Sequence, residues 1–324
     1  MISVVVPLYN EAESLAALHA ELARSFEANG LGPAEFLFVD DGSRDGSWGV
    51  IRQIAAADPR ARGIRFRRNF GKAAALTAGF RAARGSIVFT LDGDLQDDPA
   101  EIPRFLARLD EGFDVVSGWK RKRHDPWHKV GPSRVFNRLV SGLTGCKLHD
   151  HNCGFKAYRR EVLDEVTLYG ELHRFVPVLA SERGFKVAEI VVNHRSRKFG
   201  HSKYGVARFI KGLLDLLTVH FLSRYGQRPL HVLGALGLAM LVLGGAGLTY
   251  LAAIWVIGYW VEGYRPIGDR PLMFYSGILL AVGTQLVCMG VLAEMVTAYN
   301  IRETDTFSVA ETLEPPPDAE SSEL

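Results

Sequence analysis

The chain has 324 residues, 48% hydrophobic and 23% charged, which is enough for a substantial core and about two domains. Cys146, Cys153 and Cys288 are too few and too scattered for a disulfide framework or a zinc site, and they fit a reducing compartment. The net charge of +2 hides an uneven distribution. Ser117 to Arg224 holds 21 Lys and Arg against 9 Asp and Glu, whereas residues 301–324 hold one Arg against seven acids. A basic middle points to an anionic partner: nucleic acid, a phosphorylated ligand or lipid headgroups.

The first 120 residues alternate strand and helix signals. The opening "MISVVVPLY" has no basic leader region and reads as a β-branched strand, not a signal peptide. Leu15, Leu18, Leu22 and Phe26 then recur at helical spacing between Glu11 and Glu27. "EFLFVD" is a second strand, "GSWGVIRQIAAAD" a helix and "GIRFRR" a weaker strand. "GKAAALTAGFRAARG" is an Ala-rich helix, "SIVFTLD" the next strand, and Pro99 opens a helix reaching Leu109 before "DVVSG". Alternation of this kind predicts an α/β fold with an open, mostly parallel sheet. Ligands of such sheets sit beyond the carboxyl ends of the strands. The polar strand ends "YNE", "DDGS", "RNFGK" and "DGD" are therefore expected to converge on one crevice.

The middle of the chain is less regular. Val135, Phe136, Leu139, Val140 and Leu143 form one helical stripe, and "YGVARFIKGLLDLLTVHFLSRYG" is strongly apolar with Arg208, Lys211 and Asp215 on one face. Both segments suit core-facing helices or amphipathic helices lying in a membrane interface. Residues 229–261 and 271–293 then carry no charged side chain, 33 and 23 residues respectively. A spanning helix needs about 20 apolar residues, so the pair predicts a transmembrane hairpin. Trp255, Tyr259 and Trp260 stand where an aromatic belt belongs. The basic residues before Pro229 favour a cytoplasmic N-terminal part with both termini on that side, against which stand Arg265 and Arg270 in the short loop. Two spans also argue against nucleic acid as the anionic partner. Gly234, Gly237, Gly244, Gly245 and Gly247 would permit close helix packing and leave a homo-oligomer open. The tail "TLEPPPDAESSEL" is acidic, Pro-rich and expected to be disordered. The expected domains are thus 1–120, 121–228, 229–300 and the tail 301–324.

An apolar strand that runs into "DGDLQDD" demands a reason. If the extended conformation persists, Asp92 and Asp94 flank Gly93 and face one point. Two carboxylates so close repel, and a divalent cation relieves this. Mg²⁺ or Mn²⁺ prefers oxygen ligands and is commonly shared with substrate phosphates, and Gln96 offers a third oxygen. Asp97 and Asp98 read as an acidic turn, with Asp98 the N-cap before Pro99.

"VVVPLYNEAESL", "FVDDGSRDGS", "RNFGKAAALTAGF" and "LDGDLQDDP" occur in the order that resembles family 2 glycosyltransferases, GT-A enzymes using nucleotide-diphosphate sugars and a divalent metal. "DHNCGFKAYRREV", "ELHRFVPVLA" and "GHSKYG" look like the branch that transfers one sugar to a polyisoprenyl phosphate, such as dolichyl-phosphate mannose synthases and bacterial polyprenyl-phosphate glucosyltransferases. The Q-x-x-R-W motif of processive family members has no counterpart at any of the five tryptophans. The resemblance implies a GT-A nucleotide-sugar-binding domain with interfacial helices and a terminal hairpin. It places Pro7, Tyr9, Glu11 and Asp40 at the nucleobase and ribose, with Asp41 beside them and Lys72 near the nucleotide. Asp92, Gly93, Asp94 and Gln96 would hold the diphosphate and its Mg²⁺ or Mn²⁺.

The resemblance also implies a second anion, the lipid phosphate. Its second ionisation lies near pH 6, so it is mostly a dianion at neutrality and already a nucleophile. Lys120, Lys129, Ser133, Arg197 and Lys203, with Arg134 added, are the expected lipid-phosphate contacts, and the runs "KRKR" and "RSRK" supply further cations for anionic lipid. Asp150 falls beside the sugar and the attacking oxygen, as a base or as a sugar ligand, and its neighbours His149 and His151 raise the question of a metal. The reaction implied is inverting transfer of one hexose, from a UDP-glucose or GDP-mannose type of donor, to polyprenyl phosphate. Transfer to a diacylglycerol or a protein, and a non-catalytic nucleotide-sugar-binding subunit, are the competing readings.

Overall fold

The computed structural model describes residues 1–121, 127–166, 172–195, 212, 214–219, 221, 228–260, 268 and 270–300, with 127–135 and 298–300 described by backbone alone. They fall into two compact units, Met1–Val219 and His220–Leu324.

The first unit opens with β1 (Ile2–Leu8), α1 (Ala12–Asn29), β2 (Ala34–Asp40), α2 (Ser47–Ala57), β3 (Ala61–Arg65), α3 (Lys72–Ala82) and β4 (Ile87–Thr90). A 3-10 turn, Pro99–Glu101, leads into α4 (Ile102–Asp110), followed by β5 (Val115–Trp119), α5 (Trp127–Thr144) and β6 (Lys156–Arg159). α6 (Arg160–Glu165), a 3-10 turn at Leu172–Phe175, α7 (Val176–Glu182) and β7 (Val187–Val191) complete the ordered elements before a short helical segment, α8 (214–219). The expected alternation through residue 118 is present. Asp98 caps the turn at Pro99 by accepting the Ala100 N–H at 3.1 Å, so the helix expected from Pro99 begins as a 3-10 turn.

The seven strands form one sheet in the order β3-β2-β1-β4-β6-β5-β7. β1 to β4 are mutually parallel, β6 runs antiparallel to both β4 and β5, and β5 and β7 are parallel. The sheet therefore continues across residue 120. Alternate strand residues feed two cores, as a period of two requires. Val4, Val6, Phe36, Phe38 and Phe89 pack under Leu15, Leu18 and Leu22 of α1, Ile51 of α2 and Phe105 of α4. Val5, Leu37, Val39 and Val88 pack under Ala75, Leu76 and Phe80 of α3 and Val162 and Val176 of α6 and α7.

The stripe expected on α5 is divided. Phe136 and Val140 are buried with Phe175, Val178 and α8 residues Leu216 and Val219, whereas Leu139 and Leu143 are exposed, as are Leu214 and Leu217. Most of the apolar helix expected from Tyr204 lies outside the described residues, as does the tail.

The second unit holds α9 (Pro229–Gly258) and α10 (Pro271–Asn300). Pro229–Gly258 and Pro271–Thr297 have mean hydropathies of 2.0 and 1.9 and are long and apolar enough to cross a membrane. They pack as an antiparallel hairpin. A Cβ on Gly237 would lie 2.7 Å from the Gly283 carbonyl oxygen, and one on Gly244 would lie 2.8 Å from that of Ser276. The lack of side chains thus lets the two backbones touch. Thr249 and Thr284 return their hydroxyls to the carbonyls of Gly245 and Leu280, and Glu294 accepts the Leu230 N–H at 3.2 Å. These three polar groups are in this way satisfied within the hairpin.

Candidate active site

In the strand order, β1 has β2 on one side and β4 on the other, so the chain switches direction across the sheet between β1 and β4. Open sheets bind ligands at such a point. Tyr9–Glu11 leave β1 and Asp92–Gln96 leave β4 on its two sides.

The loops after β1 and β2 are stitched together. Asn10 donates its N–H to Ser43 Oγ at 2.9 Å and accepts the Arg44 N–H at the same distance. Asp45 accepts from Ala12 N at 3.1 Å and Ser47 N at 2.9 Å, satisfying the first turns of both α1 and α2. A crevice of about 860 Å³ opens beside them, with Tyr9, Ser43, Arg44, Arg65, Arg68 and Asn69 in its wall. Asp40 is fully buried at its edge, with Oδ1 accepting the Ser43 N–H at 2.8 Å and Oδ2 3.5 Å from Arg65 Nε. Asp41 spends both oxygens on the backbone N–H groups of Phe70 and Gly71, at 2.7 and 2.9 Å. It shapes the β3–α3 loop that leads into Lys72 at the start of α3. Gly42 has φ +72°, and a Cβ there would lie 2.4 Å from the Arg68 carbonyl carbon, so the close approach of these loops requires glycine. The cluster of arginines from β3 onward was not among the residues singled out by sequence, because "RFRRN" carries no spacing signal of its own.

The acidic loop departs from the extended geometry expected of it. β4 ends at Thr90, and Leu95 takes φ +61°. Asp92 and Asp94 are therefore presented by a turn, and the period-two argument does not place them. Ser14 Oγ of α1 donates to the Gly93 carbonyl at 2.5 Å and holds the turn against the sheet. Asp94 is buried and accepts the Gln96 N–H at 3.2 Å. Asp92 is half-buried, with its carboxylate paired to Lys72 at the start of α3 and set directly over Gly154. Burial raises the pKa of Asp92, but Lys72 and Lys120 outweigh burial and hold it well below the usual carboxylate range.

Lys120 and Asp97 form the support beneath this loop. Asp97, expected as part of an acidic turn, is fully buried, and Lys120 from the end of β5 reaches it at 2.8 Å. Burial lowers the Lys120 pKa, but Asp97, Cys153 and Asp92 raise it further, so the ammonium is held charged. The Lys120 ammonium is thus paired with the loop that follows β4. Of the other expected acceptor cations, Lys129, Ser133 and Arg134 lie in the backbone-only part of α5, and Arg197 and Lys203 lie outside the described residues.

Asp150 sits in the loop between α5 and β6, fully buried, accepting the Asn152 N–H at 3.1 Å. Glu189 of β7 accepts the N–H groups of His149 and Asp150 at 3.0 and 2.9 Å. Asn137 and Ser141 of α5 bond the carbonyls of His149 and Leu148, both at 2.9 Å, so α5 carries the Asp150 loop. The two histidines diverge. His149 stacks on Trp119 at 4.1 Å and pairs with Glu189, whereas His151 is buried against Ser141 Oγ at 3.0 Å. Lys156, which the sequence reading passed over, is fully buried and donates to the carbonyls of His151 and Cys153. Burial lowers its pKa, Cys153 and Asp150 opposing. His173 and Arg174, from "ELHRF", line the same small cavity as Lys72, Gly154 and Lys156. A buried cation in "GFK" is visible in sequence only as one lysine among many.

Two outcomes follow. A Cβ on Gly154 would lie 2.6 Å from Asp92 Oδ2, so Gly154→Ala is expected to displace that carboxylate and cut turnover by about ten-fold or more. Thermal unfolding should be nearly unchanged, since only a side-chain end must move. Burial and Lys156 push the His151 pKa down to about 4 from 6.5, Asp150 opposing. The unfolded chain therefore takes up this proton first, and the stability present above pH 6.5 is lost as pH falls toward 4. The loss should approach about 3 kcal/mol, and His151→Gln should flatten that limb of a pH–melting curve.

Among the described residues no three acidic, His or Cys side chains form a preformed cation cage. The donor set that is present, two carboxylates and an amide on one turn, suits Mg²⁺ or Mn²⁺ that substrate phosphates complete. Residues 3–167 match the family described as Glycosyl transferase family 2. The chain belongs to that family. This glycosyltransferase is 36% identical over 310 residues to the dodecaprenyl-phosphate galacturonate synthase of Rhizobium johnstonii, covering 93% of this chain and 89% of the relative. It is 37% identical over 297 residues to the undecaprenyl-phosphate 4-deoxy-4-formamido-L-arabinose transferase of an Enterobacter species, covering 91% and 88%. Glucosyl-3-phosphoglycerate synthase from Mycobacterium tuberculosis, solved with Mn²⁺, UDP and its glucosylated product, shares the fold. The TM-score is 0.52 at 22% identity, over 70% of this chain and 80% of that one. The glycosyltransferase thus has a GT-A-like α/β fold followed by two apolar helices that could form a transmembrane hairpin.

Proposed function

We propose that this glycosyltransferase moves a single sugar from a nucleotide-diphosphate sugar to a polyprenyl phosphate at the membrane, with inversion at the anomeric carbon. The observation that carries the reading is the meeting of two supports around one point: the Asp92–Gln96 loop at the switch point and the Asp150 loop held by α5 and β7. The two curated relatives, both named for transfer to polyprenyl phosphates, support the acceptor. Their sugars differ from each other, so the donor is read as the class of nucleotide-diphosphate sugars, which includes the UDP-glucose and GDP-mannose types.

In this reading the nucleoside occupies the crevice at Tyr9, with Pro7, Glu11, Asp40 and Asp41 shaping its walls. Lys72 with Asp92, Gly93, Asp94 and Gln96 faces the diphosphate. Mg²⁺ or Mn²⁺ held by Asp92, Asp94 and Gln96 would neutralise the leaving diphosphate. The acceptor phosphate, mostly dianionic, needs no protein nucleophile. Two anions must still be brought together, and Lys129, Ser133, Arg134, Arg197 and Lys203 are proposed to hold the acceptor, with Asp150 ordering the sugar hydroxyls or the attacking oxygen. Lys120 serves this assembly from below through Asp97.

The hairpin anchors the enzyme in the cell membrane, with the catalytic unit and both termini cytoplasmic. The exposed Leu139, Leu143, Leu214 and Leu217 meet the bilayer interface, where anionic lipid adds to the attraction. The decisive experiment incubates purified protein with a panel of radiolabelled nucleotide sugars and undecaprenyl phosphate, with Mg²⁺, Mn²⁺ or chelator. A mild-acid-labile product extracted into organic solvent is expected, and none in chelator. A product stable to mild acid identifies a diacylglycerol or protein acceptor instead, and full activity in chelator removes the metal.

A further inference from the structure

We propose that Arg195 is a positioning residue of the metal–diphosphate site, holding the Gln96–Asp98 segment in place from outside the donor crevice. This rests on the reading of Asp94 and Gln96 as cation ligands.

β7 ends at Val191, and the chain that follows crosses directly to the acidic loop. Asn193 Nδ2 donates to Asp98 Oδ2 at 3.4 Å, and His194 forms an antiparallel bridge with Asp97. Arg195 donates its N–H to the Gln96 carbonyl at 2.9 Å, and Gln96 Nε2 returns a bond to the Arg195 carbonyl at 3.4 Å. The Arg195 guanidinium then spans two carboxylates: Nη1 reaches Glu21 of α1 at 2.6 Å and Nη2 reaches Asp98 at 2.8 Å.

The consequence is a loop tied to α1 at both ends. Ser14 holds the carbonyl of Gly93, and Glu21, two turns further along the same helix, holds Arg195 and through it Asp98. Asp94 and Gln96 lie between these ties. A bound cation demands its ligands within about 0.5 Å of their place, and a turn with Leu95 in the left-handed region does not hold that place unaided. The clamp needs a planar fork serving two carboxylates, which lysine does not provide. Arg195 is half-exposed, and exposed ion pairs contribute little to global stability. Its many contacts are thus better accounted for by local placement than by fold stability.

The test uses the full chain in detergent, with Arg195→Ala, Arg195→Lys and Glu21→Gln. Glu21 touches neither the loop nor the crevice walls, so its variant loosens the clamp from the far end. Mn²⁺ affinity is measured by electron paramagnetic resonance with saturating nucleoside diphosphate. Affinity for the same nucleotide in chelator, and the melting temperature, are measured alongside. Arg195→Ala should weaken Mn²⁺ by about ten-fold or more, and the other two variants by less. Metal-free nucleotide affinity and melting temperature should stay near wild type. Failure of the wild type to bind Mn²⁺ with nucleotide overturns the metal reading itself. Wild-type Mn²⁺ affinity in all three variants overturns the clamp alone. A parallel fall of Mn²⁺ affinity, metal-free nucleotide affinity and melting temperature makes Arg195 a fold-stabilising residue and also overturns it.

Discussion

Asp94→Asn is expected to lower turnover by about a thousand-fold, or about 4 kcal/mol of transition-state stabilisation, with the melting temperature close to wild type. The side chain is buried at the turn after β4 and keeps its shape as the amide, so the Gln96 N–H at 3.2 Å still finds an oxygen. What disappears is a charge. In the proposed reaction the leaving diphosphate gathers negative charge as the glycosidic bond breaks, and a cation held by one carboxylate fewer would be held weakly where that charge develops. Extra Mn²⁺ should recover part of the activity, because weakened binding is overcome by mass action. Single-turnover kinetics with and without excess metal would measure both effects. An Asp94→Asn enzyme retaining more than a tenth of wild-type turnover at ordinary Mg²⁺ would remove Asp94 from the metal account.

Lys120→Ala should produce the largest loss of stability, about 3–5 kcal/mol. Asp97 is fully buried, and its ion pair is Lys120 at 2.8 Å. Removing the lysine strands a carboxylate in the interior and also takes one cation away from Asp92. The paired replacement of Lys120 by Met and Asp97 by Leu should restore most of the stability, since an apolar pair of similar volume often replaces a buried ion pair at little cost. It should not restore activity, because Asp92 still lacks the field of Lys120. Melting curves on the single and double variants, with turnover measured on the same samples, separate the two roles. A Lys120→Ala enzyme of normal stability would mean that the Lys120–Asp97 pair does not hold the fold.

The parts of this site that were legible in sequence are those encoded by local pattern. Asp92 and Asp94 announce themselves because acids terminate an apolar strand, and Asp98 because an acid precedes Pro99. Asp97 has the same local appearance as Asp98, yet one is the buried partner of a lysine 23 residues on and the other a helix cap. Asp41 looks equivalent to Asp40, but its oxygens serve the backbone of Phe70 and Gly71. Lys156 and the arginines beside Tyr9 carry no local signal, and Arg195 reads in sequence only as part of a basic run suited to anionic lipid, for the same reason: the group that gives each its role is brought to it from a distant part of the chain.

By itself the sequence determined the alternation of strand and helix, the convergence of strand ends at one edge, the two apolar spans and the membership of the glycosyltransferase family. These follow from periodicity, charge-free length and ordered motifs, which are properties of neighbouring residues. Only the tertiary structure decided that β6 is inserted antiparallel between β4 and β5, which carries the Asp150 loop and Gly154 up against Asp92. It alone decided that a turn pinned by Ser14, and not an extended strand, presents the two aspartates. Hydrogen bonds and ion pairs between segments 20 to 174 residues apart make those choices, and their energies depend on burial, which no local pattern of residues records.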